Sequence, residues 1–138
     1  ADTDMAGIMH FANFFRLMEV TEHAFFRSLG FSVHMEIAGQ VLGWPRVRAA
    51  CEYKHPLRFE DEVEVHLLVR EKKERSLMYE FVFRKLDPVL ESARGFITVV
   101  CVTVDEQTGK MKAVPIPEAI ASRIEVAPPE CCESGKET

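Results

Sequence analysis

ADTDMAGIMHFANFF, residues 1–15, is the stretch on which the fold turns. Two acids, Asp2 and Asp4, stand ahead of Gly7, and an aromatic-rich run with helical spacing follows. Acids in front of a helix ordinarily cap it or its preceding turn, accepting hydrogen bonds from the amides that follow. The same placement also holds a carboxylate, ionised at neutral pH, beside the unpaired N–H groups of a helix start, which is what an acyl-transfer site needs. The residues alone leave both open. A turn has little use for Met9, Phe11, Phe14 and Phe15 crowded beside it, whereas a carboxylate facing an apolar acyl pocket has such neighbours.

From His10 to Leu29 the apolar residues Phe11, Phe14, Phe15, Met18, Phe25 and Leu29 recur at helical steps, and Leu17, Val20 and Ala24 widen the stripe. This predicts one long helix with a broad buried face. Gly30 stands where a helix stops in a left-handed residue. Residues 31–45, with Gly39, Gly43 and Pro45, are expected to form a loop with at most one short helix. After Pro45 the apolar period becomes two: VRAACEY, then Val63 to Val69, Leu77 to Phe83, Phe96 to Val104, and a last short strand at KMKAVPI after the turn DEQTGK. About five short-linked strands are expected, forming an antiparallel meander. Ile97, Val99 and Cys101 make the middle of one strand apolar on both faces, so both sides of the sheet should be covered, one by the helix and the other by a second subunit. PEAIASRIEV carries a short helix with Pro117 at its first position, and APPECCESGKET lacks periodicity.

A chain of 138 residues fits a single domain burying roughly two-thirds of its unfolded surface. Its 17 basic and 22 acidic residues give a net charge of -5, which argues against a nucleic-acid binder with a broad basic face. No run approaches the roughly 18 apolar residues of a membrane span, and the acidic start does not resemble a signal peptide. Cys51 and Cys101 fall within apparent strands and Cys131 and Cys132 are adjacent in the tail. These spacings suggest neither a disulfide framework nor a zinc site, so a reducing, cytoplasmic compartment is expected, with no metal. No GxSxG elbow is present, and the strand cysteines are expected to be inert core.

The stretch from Asp2 to Phe14 has the pattern Asp-x-Asp-x-x-Gly-Ile-Met-x-Phe-x-Asn-Phe. It resembles the signature that opens the 4-hydroxybenzoyl-CoA thioesterase-like branch of the hotdog-fold acyl-CoA thioesterases. EYKHPLRFEDEVEV and KMKAVPIP resemble that family's Tyr-Pro-Asp segment and closing strand, so the resemblance runs from Asp2 to Pro117. It implies an α+β hotdog, a long central helix wrapped by an antiparallel sheet, over residues 1–126; residues 127–138, which lack periodicity, are expected to be a flexible tail. The family has a strand just before this motif, so an N-terminal strand is expected to be missing ahead of Ala1.

What the resemblance implies about function is hydrolysis of an acyl-CoA to the free acid and coenzyme A. Asp4 would be the nucleophile or general base, and the backbone amide of Phe11 the donor that polarises the thioester carbonyl. His10 and Asn13 would stand behind them as supporting residues. Basic side chains before a serine at a strand hairpin would meet the coenzyme A phosphates, which by position selects Lys73, Arg75 and Ser76, with Lys72 as a further helper; on composition alone that cluster is a solvated turn. Trp44 would lie near the acyl or pantetheine channel. Coenzyme A is part of the substrate, and no cofactor is implied. A homodimer or homotetramer completes the site. Phe11, Phe14 and Phe15 permit an aromatic acyl group or a short to medium aliphatic one, because pockets discriminate a methylene by only about 1–3 kcal/mol. Two alternatives accompany this reading: a non-catalytic acyl-binding hotdog module, and an enoyl-CoA hydratase-like enzyme, for which the six-position step from Asp4 to His10 is one too long.

Overall fold

The computed structural model describes residues 12–58, 61–86 and 88–133. Its one long helix, α1, runs from Ala12 to Ser28. Phe14, Met18, Glu22 and Phe26 form its buried row, each four residues after the last. Val20 is 57% exposed and Ala24 is also exposed, so the apolar stripe is narrower than its composition suggests. Gly30 ends the helix at φ +88°. Its N–H bonds the Arg27 carbonyl at 3.0 Å while the Phe31 N–H reaches the Phe26 carbonyl at 2.9 Å, the paired closure that a left-handed glycine permits.

Among the described residues eight strands follow, not about five. They are β1 (Met35–Ile37), β2 (Gln40–Gly43), β3 (Arg46–Tyr53), β4 (Val63–Lys72), β5 (Ser76–Lys85), β6 (Leu90–Val100), β7 (Val102–Val104) and β8 (Met111–Ala113). The order β3-β6-β5-β4 makes one antiparallel sheet and β1-β2-β7-β8 the other. Three expectations are corrected. Residues 31–45 hold a hairpin, β1 and β2, where a loop or short helix was expected. The run Phe96–Val104 is broken at Cys101 into two strands, one in each sheet. The large sheet is no simple meander, because β3 pairs with β6 across the intervening hairpin.

Leu77, Tyr79, Phe81 and Phe83 of β5, with Ala93, Ile97 and Val99 of β6, are buried in the core that also takes Phe14, Met18 and Phe26 of α1. Gly95 lets helix and sheet meet: a Cβ there would stand 2.7 Å from Met18 Cε and closer still to its Sδ. The short helix α2, Glu118–Ala121, has Pro117 at its N-cap, one place earlier than expected.

On β5 the opposite positions are not all solvent-facing: Glu80 is fully buried and Val82 1% exposed. Glu80 receives Arg70 Nη1 at 2.6 Å and also Arg94 Nη1. Arg94 in turn forks onto Glu91 with two bonds of 2.9 Å. Two guanidinium groups thus face two carboxylates, the condition under which buried charge is tolerated. Residues 127–133, in the segment set apart as a tail, lie against this cluster. The Ala127 N–H pairs with the Val69 carbonyl, the Glu133 N–H donates to Glu80 at 2.8 Å, and Arg70 holds the Glu133 carbonyl at 2.8 Å. The chain's own C-terminal segment therefore covers this part of the sheet's outer face.

Candidate active site

The proposed carboxylate Asp4, the Phe11 amide and His10 lie outside the described residues. What the structure supplies is the ground they would stand on. Helix α1 begins at Ala12, and its first turn carries no acidic residue of its own. The leading N–H groups of that turn are the positive end of a 17-residue dipole, a place that favours an anion or a developing oxyanion by about 0.3–1 kcal/mol. Phe14 anchors the turn: its ring meets Tyr53 edge-on at 4.9 Å and Phe83 at 5.0 Å. The start of the helix is thereby fixed against the C-terminal end of β3. Phe14 is 3% exposed and belongs to the core; Phe15 and Asn13 are half-buried.

Burial pushes the Cys51 thiol up to about 11 and the nearby Tyr53 hydroxyl up to about 12. Cys101, in the break between β6 and β7, is likewise pushed up to about 11 by burial. Thiols so placed stay protonated at neutral pH and make poor nucleophiles.

Lys73, Arg75 and Ser76 come together at the β4–β5 hairpin, the two basic residues exposed and Ser76 half-buried. Lys73 Nζ lies 3.5 Å from Glu71. The hairpin is tied to its neighbours: backbone bonds run from the Cys101 N–H to the Arg75 carbonyl and from the Ile116 N–H to the Glu74 carbonyl. Lys72 does something else: its ammonium donates to the Ala121 and Ile124 carbonyls, both at 2.9 Å, and fixes the end of α2.

Trp44 does not join the helix start within one protomer. Its indole packs on Phe26 at 5.2 Å between centroids, 14 residues beyond Ala12 and therefore about 21 Å along the helix at 1.5 Å per residue. There it belongs to a polar cluster that the sequence did not reveal. Glu22, 2% exposed, is paired with Arg46 at 2.5 Å. Burial raises the Glu22 carboxyl above its ordinary range against the pull of Arg46, and burial also drives Tyr79 well up, helped by the Glu22 charge. The Tyr79 hydroxyl acts on Glu22, while Trp44 Nε1 has no hydrogen-bond partner among the described residues, a condition costing about 1–3 kcal/mol for a buried group. The available signal was Glu22 itself, standing between Met18 and Phe26 on the four-residue row.

The family model of the thioesterase-like superfamily matches residues 1–124. The chain belongs to that superfamily. It is a thioester hydrolase, and the match includes the Asp2–Phe14 motif. A protein of Aquifex aeolicus (strain VF5), provisionally named an esterase, is 32% identical over 114 residues, 83% of this chain and 84% of that one. The solved structure of a gentisyl-coenzyme A thioesterase is 30% identical with a TM-score of 0.70, covering 86% of this chain and 90% of the other. The 4-hydroxybenzoyl CoA thioesterase of Pseudomonas sp. strain CBS-3 is similar in fold, with a TM-score of 0.74 at 18% identity over 89% and 91% of the two chains. The fold is thus the hotdog expected from the sequence, with its long helix and antiparallel sheets.

Proposed function

We propose that this chain hydrolyses an acyl-CoA, with an aromatic or a short to medium aliphatic acyl group, to the free acid and coenzyme A. The observation that carries the proposal is the helix start: a turn without its own acid, anchored by Phe14 on Tyr53 and Phe83, directly after a motif that brings Asp4. In this reading the thioester carbonyl accepts the Phe11 amide, whose donation grows stronger as charge builds on the oxygen. Asp4 either takes a proton from an attacking water or itself attacks the carbonyl carbon; the coenzyme A thiolate leaves and is protonated by solvent, and in the second route water then hydrolyses the mixed anhydride to the free acid and the Asp4 carboxylate. Lys73 and Arg75 hold the phosphates at the β4–β5 hairpin, with Ser76 beside them, the lysine as a point charge and the arginine as a fork. Trp44, remote from its own helix start, serves the acyl channel of another protomer. The 30% identity to a gentisyl-coenzyme A thioesterase supports an aromatic acyl group.

A homo-oligomer belongs to the same proposal. Strand β3 is the edge of the large sheet, exposed over most of its length, with Val47 at 61% and Tyr53 at 49%. Such an edge is a ready template for a second copy. The test is release of free coenzyme A, followed with a thiol reagent over a panel of aromatic and aliphatic acyl-CoAs. Asp4→Asn is expected to lower kcat by about 10²–10⁴-fold. Unchanged release in that variant removes Asp4 from the chemistry, and absence of release from every thioester favours an acyl-binding module.

A further inference from the structure

Cys131 and Cys132 take no part in the hydrolytic reading, and they lie on the face of the large sheet opposite α1. There the C-terminal segment is pinned on either side of them. Arg94 Nη1 donates to the Cys131 carbonyl at 3.2 Å, and the Glu133 N–H donates to Glu80 at 2.8 Å. The turn Pro129–Cys131 ends in Cys132, whose N–H closes on the Pro129 carbonyl at 3.1 Å and whose backbone is extended, at φ -97° and ψ 150°. Both thiols are free, Cys131 exposed and Cys132 half-buried. Next to the pair is a cavity of about 340 Å³, lined by Val126, Ala127, Pro129 and Cys132 together with Arg70 and Glu133.

Two adjacent thiols have three fates to choose from. A disulfide between them is strained, because consecutive Cα atoms stand about 3.8 Å apart, short of the roughly 4.4–6.8 Å that a disulfide spans. A zinc-type cation needs thiolates and usually four ligands. Burial, then the Glu80 charge, raises the Cys132 thiol above its ordinary range, and among the described residues no three His, Cys, Asp or Glu side chains are placed to hold a metal ion. A trivalent arsenic carrying one organic group needs two sulfurs and no further ligand, takes them as thiols, and lengthens the bridge by one atom. We propose that Cys131 and Cys132 together bind organic arsenic(III) compounds, both sulfurs chelating the arsenic. The step is a condensation: two As–S bonds form, the arsenic–oxygen bond of R–As=O breaks, the oxygen leaves as water with the two thiol protons, and arsenic stays trivalent. Cys51 and Cys101 do not compete as a pair. Cys51 stands opposite Gly95 on β6, six residues and so about 20 Å along the strand from Cys101. The site is independent of the hydrolytic roles proposed for Asp4 and Phe11.

Phenylarsine oxide, added to the full chain, is the probe. Intact mass is expected to show one phenylarsenic group per chain, with two of the four thiols lost to a thiol reagent applied in denaturant. The adduct should resist washing with a monothiol and yield to the dithiol 2,3-dimercaptopropanol. Cys131→Ser and Cys132→Ser each keep one thiol of the pair, and they should release the group to monothiol about 10²-fold or more readily, the gain that a second linked contact gives. The bonds that these residues make to Arg94 and Pro129 come from backbone atoms, so both variants retain them. A parent adduct stripped by monothiol as easily as that of either variant overturns the proposal. So does peptide mapping that finds the arsenic on Cys51 or Cys101 in place of the adjacent pair.

Discussion

Adding one carbon at Gly95 tests how tightly the helix is set on the sheet. In Gly95→Ala the new Cβ would stand 2.7 Å from Met18 Cε and closer still to Sδ, and Met18 is fully buried. Overpacking of this kind costs about 1–3 kcal/mol. Loss of glycine's unfolded-state freedom returns roughly 0.4–1 kcal/mol, so a net loss of about 1–2 kcal/mol is expected. Met18→Ala alone leaves a cavity and should cost about 2–5 kcal/mol. In the double variant the methyl added on β6 enters space vacated by Met18, so the two losses should fall short of their sum by about 1–2 kcal/mol, a coupling typical of residues in contact. Urea unfolding of the four proteins measures it, and each kcal/mol corresponds to roughly 3–5 °C in Tm for a domain of this size. Strict additivity of the two changes would refute the close approach of α1 to β6.

Lys73→Ala combined with Arg75→Ala should raise KM for acyl-CoA substrates about tenfold or more and leave short pantetheine thioesters nearly unaffected; an equal rise for both removes the phosphate contact. Glu80→Gln leaves Arg70 and Arg94 facing one another and should cost about 3 kcal/mol, the low end for a buried pair because the two arginines keep 18% and 14% exposure. A urea midpoint within the error of the parent would contradict that. Glu91 is held down to about 2, first by its bonds from Arg94 and then by Lys54. A carboxylate whose folded pKa is depressed contributes stability above its unfolded value, lost as pH falls from about 4.5 toward 2. Glu91→Gln should therefore flatten stability over that window, checked by thermal melts from pH 6 to 2.

Much of the architecture was legible because it rests on local periodicity. The spacing from Phe11 to Leu29 and the left-handed stop at Gly30 give α1, and the two-residue alternation gives the strands from β3 onward. The β1–β2 hairpin was hidden by its turn. Ile37 pairs with Gln40, leaving Ala38 and Gly39 as a two-residue loop with φ of +53° and +78°. Such loops are usually announced by Asn or Gly at the first place, and here an alanine bears the left-handed strain. The acid clusters were hidden for another reason. Glu22 meets Arg46 and Glu80 meets Arg94, 24 and 14 positions away, and only the topology brings them together. Glu80, at an alternate strand position, looks like any solvent-facing acid until the C-terminal segment is laid over it. Of the proposed catalytic residues, Asp4 and Phe11 rest on the motif and on the start of α1 that it leads into.

The docking of Glu133 on Glu80 bears on where the protein can be cut or extended. A version shortened at residue 126, the boundary that composition suggests, would strip a backbone donor from a buried carboxylate and open Arg70 and Arg94 to water. Affinity handles are better joined beyond Glu133, and shortened versions meant for crystallisation should keep the chain through that residue.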